Sequence, residues 1–237
     1  MSKELIEKGK KSAAVKAVEE HVKPDMVLGI GSGSTVVYAV EKIAEMNQSQ
    51  DLNLKCIPTS FQSYQLIVDN ALTLVNLDQY PKIDLDIDGA DEVDKNLNLI
   101  KGGGGCLVQE KIIASNSREL IIIADFRKHA QTLGEKWKKG VPVEVIPMAY
   151  VPLMKKLKKL GGTPKLRMAK SKAGPLVTDN GNFILDVDFG LIKSPAALND
   201  QLLHIPGVVD TGLFIKMASH AYIGQENGEV LCLTSED

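Results

Sequence analysis

The sequence has few cysteines and no long apolar segment. Its three cysteines, Cys56, Cys106 and Cys232, are an odd number without close spacing. They argue against a disulfide framework or a zinc site and favour a reducing compartment. No segment approaches the run of about 20 apolar residues that spans a membrane, and the first 22 residues lack the apolar core of a secretory signal. We therefore expect a cytoplasmic protein that does not bind a membrane.

The chain also lacks an excess of charge of either sign. Its 28 Lys and Arg residues stand against 30 Asp and Glu residues, which leaves a formal net charge of -2. A nucleic-acid-binding surface would need a clustered excess of Lys and Arg. The densest basic run, residues 155–159, is better explained as the solvated face of one helix. We expect no nucleic-acid partner.

What the first 139 residues do contain is a regular alternation of short apolar segments and helical segments. Helices are predicted at 3–22, 34–46, 61–68 and 107–115, and strands at 26–30, 54–57, 72–74, 83–87 and 120–124. Such alternation predicts a parallel sheet with helices on both faces. The fold class is therefore α/β, with a Rossmann-like main domain.

The pattern changes after Gly140. Strands are predicted at 141–146, 165–168, 183–187 and 207–211, and helices at 150–160 and 194–203. Asn180-Gly181 is a strong hairpin signal between two of these strands. We predict a small α+β, ferredoxin-like subdomain at residues 140–210. The main domain then takes residues 1–139 and 211–237, with short strands at 222–223 and 230–233 returning to the main sheet.

A glycine-rich turn, residues 29–35, follows the first predicted strand. Its three glycines allow the backbone to approach a ligand closely, and the start of the next helix offers free N–H groups that suit a phosphate. The turn does not match the dinucleotide fingerprint, and it lacks the Gly-Lys-Ser/Thr of a P-loop. It therefore predicts a phosphate site without a nucleotide. A tight turn capped by Ser or Thr is the alternative.

Residues 84–92 are rich in acidic side chains. Their spacing begins like an EF-hand loop, but Lys95 stands where that loop needs a glutamate, so we expect no metal. Asp88 and Asp91 follow the predicted strand, at the edge where open α/β sheets bind ligands. Carboxylates there can hold sugar hydroxyls or move protons. A solvated acidic turn is the alternative.

Lys101 precedes four consecutive glycines, residues 102–105. Each glycine costs backbone entropy on folding, so the run suggests a backbone that wraps closely around a small ligand. We expect Lys101 to be exposed at the loop entrance, where it could neutralise a phosphate or a developing oxyanion. Glu110, in the first turns of the next helix, is a candidate general base. A flexible loop followed by a surface glutamate is the alternative.

The remaining chemistry-bearing residues are sparse. Lys128 follows the strand at 120–124, where a solvated surface charge is the more common outcome. The four histidines are scattered, and neither CxxC nor HExxH occurs. Together the segments suggest proton transfer by carboxylates on a small phosphorylated substrate, without a metal or a cofactor.

Six motifs, in this order and spacing, resemble type A ribose-5-phosphate isomerase from the first helix to about Phe214. They are GSGST at 31–35, DGADE at 88–92, KGGG at 101–104, EKIIA at 110–114, PVEVIP at 142–147 and VTDNGN at 177–182. Each motif is short, and the combination is specific. The chain departs from the family at residues 170–174, which lengthen a hairpin arm, and in the tail at 224–237.

The resemblance implies reversible conversion of ribose 5-phosphate to ribulose 5-phosphate in the non-oxidative pentose phosphate pathway. It implies that Glu110 moves a proton between C1 and C2 through an enediolate. Asp88, Asp91 and Lys101 would assist ring opening and stabilise the developing oxygen charge. The implied substrate contacts are Lys11, Ser32, Gly33, Ser34, Thr35, Gly89, Ala90, Gly102, Gly103, Gly104 and Lys128. The resemblance also implies a homodimer or a homotetramer.

Two other functions stay open on the sequence. One is an enzyme of similar fold that acts on another phosphosugar or on an acyl-CoA, with Glu110 as a nucleophile that would form a covalent adduct. The other is a non-catalytic sugar-phosphate sensor. A sensor would normally carry a DNA-binding or partner module, and no spare segment is long or basic enough for one. An isomerase would instead exchange a substrate C–H proton with the solvent.

Overall fold

The computed structural model describes residues 2–235. The helices within this range are α1 (Lys3–His21), α2 (Ser34–Gln50), α3 (Phe61–Asp69), α4 (Leu107–Ser115), α5 (Tyr150–Lys159) and α6 (Pro195–Leu203). The strands are β1 (Val27–Ile30), β2 (Lys55–Pro58), β3 (Thr73–Leu74), β4 (Ile83–Gly89), β5 (Glu92–Val93), β6 (Leu99–Ile100), β7 (Ser117–Asp125), β8 (Val141–Val145), β9 (Thr163–Leu166), β10 (Phe183–Asp188), β11 (Val208–Thr211), β12 (Leu213–Phe214), β13 (His220–Gly224) and β14 (Val230–Thr234).

The main sheet has seven strands in the order β14-β13-β7-β4-β1-β2-β3. All neighbours run parallel except β14, which pairs antiparallel with β13. The predicted parallel sheet is therefore confirmed, and the end of the chain returns to it as expected. The strand order reverses at β1, which lies between β2 and β4. A crevice opens at the carboxyl ends of the strands at such a reversal, and ligands bind there in open α/β sheets.

Helices cover both faces of this sheet. On one face, Ala13 and Ala17 of α1 pack with α2 residues against Leu85 and Ile87 of β4. On the other face, Ile113 of α4 packs with β1, β2 and β4. Small residues let α1 lie close to the sheet, and the Ser2 side chain caps the start of α1 by accepting a hydrogen bond from the Leu5 N–H. Leu85 and Ile87 of β4 thus pack on the α1 and α2 side, whereas Ile83 packs with α4 on the other.

A second, antiparallel sheet has the order β11-β8-β10-β9 and draws on residues 141–211. The hairpin predicted around Asn180-Gly181 joins β9 to β10, and α5 and α6 pack on this sheet. The division into domains at residues 140 and 210 stays a prediction. A third sheet, β12-β6-β5, was not expected, because strands of two residues leave no periodic signal. Within the described range, no helix is long and apolar enough to cross a bilayer.

Candidate active site

A cleft of about 400 Å³ lies at the carboxyl ends of β1, β4 and β7, where the sheet order reverses. The sequence-predicted residues that line it are Ser32, Gly33, Ser34, Thr35, Gly89, Ala90, Asp91, Lys101, Gly102, Gly103, Gly104, Glu110 and Lys128. The connections after three strands therefore meet at one place, together with the glycine loop after β6. Their functional roles stay predictions until they are tested.

Asp88, near the end of β4, is fully buried and does not itself line the cleft. One of its oxygens, Oδ1, accepts hydrogen bonds from the N–H of Ser32 at 2.9 Å and of Gly89 at 2.7 Å. Gly31 of the neighbouring strand makes this possible, because a Cβ there would lie 2.1 Å from that same oxygen. The first glycine turn thus makes room for a carboxylate as well as for a ligand.

Lys101 is buried rather than exposed, with only 2% of its surface accessible, so the expectation of a solvated lysine is wrong. Its Nζ lies 2.8 Å from Asp88 Oδ2 and 3.3 Å from Glu110 Oε2, and it donates to the Gly89 carbonyl at 2.6 Å. The side chain turns inward because β6 is held by β12 and the Lys101 N–H donates to Gly212 O. Burial acts to lower the pKa of Lys101, but Asp88 and Glu110 outweigh it and hold that pKa above its ordinary value.

Glu110 faces the cleft from α4 and is 4% exposed. Burial raises the pKa of Glu110 to about 8, although the Lys101 ammonium acts in the opposite direction. A carboxylate with a proton affinity near the working pH is suited to act as a general base. The next residue, Lys111, anchors the helix by donating to Asp210 Oδ1 and to the Thr211 carbonyl, each at 2.6 Å.

The glycine loop is held from two sides. The Gly103 N–H donates to Asp91 Oδ2 at 2.6 Å, and Arg167 of the second sheet donates to the Gly102 carbonyl at 2.8 Å. Arg167 is itself fixed by a bidentate pair with Asp186. Burial raises the pKa of Asp91 above its usual range, against the Gly103 hydrogen bond. The loop is thus an ordered wall of the cleft, and Asp91 is a second partly buried carboxyl.

The lining of the cleft also offers free N–H groups and cationic side chains. The helix α2 begins at Ser34, and its N-cap residue, Gly33, supplies no side-chain cap to the first free N–H groups. Lys10, Arg127 and Lys128 line the same cleft. Free helix N–H groups with nearby cations form a suitable site for a phosphate.

Lys11 is the one predicted substrate contact that the structure does not bring to the cleft. Its side chain is exposed, whereas Lys10 is buried and lines the site. Successive helix residues point about 100° apart, so an assignment wrong by one residue moves the amine to another face. The cleft-lining residues that sequence reasoning missed are Lys10, Ser60, Phe61, Gln62, Cys106, Ala124, Asp125, Arg127 and Asp179.

Some of these missed residues had a signal and others did not. Ser60, Phe61 and Gln62 follow the strand β2 and open α3, so the same carboxyl-edge argument could have found them. Asp179 comes from the hairpin of the second sheet, and nothing local predicts that this turn reaches the main sheet. The Phe61 N–H donates to Asp179 Oδ2 at 3.4 Å across that junction.

The described residues hold no group of three or more His, Cys, Asp or Glu side chains arranged to bind a metal ion. Asp88 and Asp91 instead accept backbone N–H groups. What the arrangement offers is a buried carboxyl, a buried ammonium beside it, and helix N–H groups with cationic side chains for a phosphate. Such a set suits proton transfer at a carbon of a small phosphorylated molecule.

The family model described as "Ribose 5-phosphate isomerase A (phosphoriboisomerase A)" matches residues 55–228. Among curated proteins, the ribose-5-phosphate isomerase of Sus scrofa is 59% identical over 225 residues, which cover 94% of this chain and 74% of that protein. The ribose-5-phosphate isomerase of Homo sapiens is also 59% identical over 225 residues, which cover 94% of this chain and 72% of that protein.

Solved structures agree with the sequence matches. The ribose 5-phosphate isomerase A of Methanocaldococcus jannaschii superposes with a TM-score of 0.90 at 40% identity, over 96% of this chain and 99% of that one. A D-ribose-5-phosphate isomerase in complex with phospho-erythronic acid superposes with a TM-score of 0.93 at 38% identity, over 99% of this chain and 100% of that one. The fold class expected from the sequence is confirmed over nearly the whole chain.

Proposed function

The chain belongs to the ribose 5-phosphate isomerase A family and interconverts ribose 5-phosphate and ribulose 5-phosphate, and we propose that Glu110 is the base of this reaction. The observation that supports this role is a buried carboxyl 3.3 Å from a buried ammonium, on the wall of the cleft. In the open-chain aldose, the Glu110 carboxylate takes the proton from C2 and an enediolate forms. The same carboxyl then returns the proton to C1, while the hydroxyl proton moves from O2 to O1.

Lys101 stabilises the negative charge that develops on the enediolate oxygens. Its ammonium stays protonated because Asp88 and Glu110 hold its pKa above the ordinary value. Because Lys101 is buried and fixed by its partners, its ammonium stabilises an oxyanion more strongly than it would in solvent. Asp88 holds Lys101 in place from below, and Asp91 is within the cleft to assist ring opening.

The phosphate binds on the first turn of α2, with cationic side chains of the cleft around it. Ser34 and Thr35 contribute helix N–H groups and hydroxyls, and Lys10 replaces Lys11 as the amine that lines the cleft. Binding energy from a phosphate that does not react can position the carbon chain over Glu110. Phospho-erythronic acid, which carries a carboxylate and a phosphate, also suits this arrangement. It serves as a probe of binding without turnover.

We also propose an oligomeric state and a cellular compartment for the isomerase. Phe61, Tyr64 and Val68 expose an apolar stripe on α3, with 64%, 43% and 50% of their surfaces accessible, which supports a homodimer or a homotetramer. Three free cysteines fit a reducing compartment, and we propose the cytoplasm. The two open alternatives, an acyl-CoA enzyme and a sensor, have no observation in their favour.

Glu110→Gln tests the base directly. Gln keeps the shape but accepts no proton at neutral pH, so kcat falls by about 10²–10⁴ while phospho-erythronic acid still binds. The assay incubates ribose 5-phosphate in D2O and follows both ribulose 5-phosphate and deuterium at carbon. Glu226→Gln, at an exposed glutamate, is the matched control and keeps full activity. If Glu110→Gln exchanges the proton as fast as the parent, Asp88 or Asp91 becomes the better candidate.

A further inference from the structure

Asp86 is a fully buried carboxyl that the mechanism above does not use. It lies on β4 two residues before Asp88 and points to the same face of the strand, toward α4. Gly29 of β1 leaves room for it, since a Cβ there would lie 2.8 Å from Asp86 Oδ1 and 2.5 Å from Ile113 Cγ2. Among residues 2–235, neither oxygen of Asp86 has a hydrogen-bond partner.

An ionised carboxylate is unfavourable in such a place. Buried charges in proteins are normally paired and hydrogen-bonded. Asp88 takes two backbone N–H groups and the Lys101 ammonium, and Glu110 also lies beside Lys101, but Asp86 has neither kind of partner. Burial therefore raises the pKa of Asp86 well above its usual range, and Asp88 adds to this.

Asp86 nevertheless belongs electrostatically to the reacting cluster. The charged groups that act on it are Asp88 of its own strand, Lys101 of the glycine loop and Glu110 of α4. The strands beside it present no charge, because its paired positions are Gly29 of β1 and Leu120 of β7. Three carboxyls thus share one ammonium in a dry site, where they cannot all ionise together.

We propose that Asp86 is a positioning residue of the isomerase, which keeps its own proton while Glu110 works as the base, and that loss of this proton sets the alkaline limit of turnover. Of the two carboxyls, Glu110 ionises first because Lys101 lies beside it, whereas Asp86 has no donor to stabilise its anion. Once Asp86 ionises, its charge offsets the Lys101 ammonium that stabilises the enediolate. The inference rests on the proposed function of Glu110 and Lys101.

The test compares the pH profiles of kcat for the parent, Asp86→Asn and Asp84→Asn. Asn mimics a protonated Asp in shape and charge, so Asp86→Asn keeps kcat at neutral pH within about threefold of the parent. At the alkaline pH where kcat of the parent has fallen about tenfold, or about 1.4 kcal/mol, Asp86→Asn keeps most of its maximum. The control, Asp84→Asn, lies on the same strand, where Asp84 already accepts the Val27 N–H, and it keeps the profile of the parent.

Three kinetic results overturn the proposal. The first is a parent without an alkaline fall, and the second is an Asp86→Asn variant with the same fall as the parent. The third is a folded Asp86→Asn that loses more than about tenfold in kcat at neutral pH, because it would show that the charge of Asp86 is itself required. A purely structural role would move the melting temperature and leave the shape of the pH profile unchanged.

A second measurement does not depend on the variant folding. With carbon-13 on aspartate carboxyls only, NMR of the unmodified protein shows an aspartate that keeps its proton at pH 7, and folded Asp86→Asn lacks that signal. A spectrum in which every aspartate is ionised at pH 7 overturns the proposal. The Glu110→Gln exchange assay reports the proposed function separately, since glutamate carries no label and Asp86 takes no proton from substrate.

Discussion

At the scale of single residues, Lys101 has both a structural and a catalytic part in the site. Its ammonium compensates Asp88 from below and Glu110 from the side, and its surface is almost fully enclosed. Removing one partner of a buried ion pair leaves an uncompensated charge in a dry place, which is strongly destabilising. A change at Lys101 should therefore show in folding as well as in turnover.

We expect Lys101→Ala to lower kcat by about 10²–10³, because it removes the charge that stabilises the enediolate. KM changes less than kcat, since the phosphate is held by other groups of the cleft. Thermal unfolding shows a lower Tm at neutral pH, because the buried Asp88 loses its ammonium partner. The exposed Lys95→Ala is the control and leaves both readouts unchanged. Near-normal turnover by Lys101→Ala would remove Lys101 from the mechanism.

The sequence predicted which residues belong to the site better than it predicted their burial and their partners. Asp88, Asp91 and Glu110 stood out because carboxylates followed a strand or a glycine loop, and the structure brings all three together. The burial of Lys101 could not be foreseen, since it depends on the pairing of β6 with β12, more than 100 residues apart in the chain. Asp86 fell within the predicted strand 83–87, and nothing in the sequence showed that its carboxyl would be buried without a hydrogen-bond partner.

At the scale of elements, the strands β1 and β4 fit together through glycine and aspartate. Gly29 pairs with Asp86, and the Gly31 N–H donates to the Ile87 carbonyl, so both glycines lie beside the acidic face of β4. A Cβ at Gly31 would lie 2.5 Å from the Asp88 Cα as well as against its carboxylate. Backbone atoms cannot rotate away as a flexible side chain can, so β1 and β4 would have to separate.

We expect Gly31→Ala to lower stability by about 1–3 kcal/mol, as overpacking of a dense interior does. It should also lower kcat, because Asp88 moves and Lys101 loses its support. Gly104→Ala is the matched control for stability: a Cβ at Gly104 meets open space, and its backbone conformation is one that alanine can adopt. Denaturant unfolding of both variants decides the matter, and equal stability of the two would contradict this account of β1.

Most helices and strands could be predicted because the apolar periodicity and the turn residues between elements agree along the chain. The helix α4 was placed at its observed bounds, and α2 was ended four residues early, at Met46 rather than Gln50. The strand β7 was started late because Ser117 to Glu119 are polar and only Leu120 onward is apolar. The third sheet was missed altogether, since pairing between two-residue strands depends on the folded chain and not on local pattern.

At the scale of the whole molecule, the site concentrates buried carboxyls in one place of an otherwise ordinary fold. Burial raises the pKa of Glu110 to about 8, and it raises the pKa of Asp86 well above its usual range. At Glu110, the folded chain therefore keeps a proton that the unfolded chain has lost between pH 4.5 and about 8. Stability falls with rising pH wherever the native state holds the extra protons.

Because the raised pKa of Glu110 makes folding stability fall as pH rises, removing this carboxyl should raise stability while it lowers activity. Consider a carboxyl whose pKa is higher in the folded chain than in the unfolded chain. Its contribution to the free energy of unfolding is fully present below the pKa of the unfolded chain, and it is lost as pH rises through the pKa of the folded chain. Gln at position 110 cannot ionise, so Glu110→Gln has no such loss. We expect its Tm to exceed that of the parent by a margin that is small at pH 5 and larger at pH 9.

Each kcal/mol of that margin shifts Tm by about 2–4 °C for a domain of this size. The measurement is thermal unfolding of parent, Glu110→Gln and the exposed Glu226→Gln at both pH values. Glu226→Gln follows the parent throughout, because the Glu226 side chain is exposed and lies outside the buried cluster. A Glu110→Gln margin that shrinks as pH rises would mean that Lys101 stabilises the Glu110 anion more than burial disfavours it. The base would then be ionised well below neutral pH, and the acid limb of kcat/KM would lie lower by the same amount.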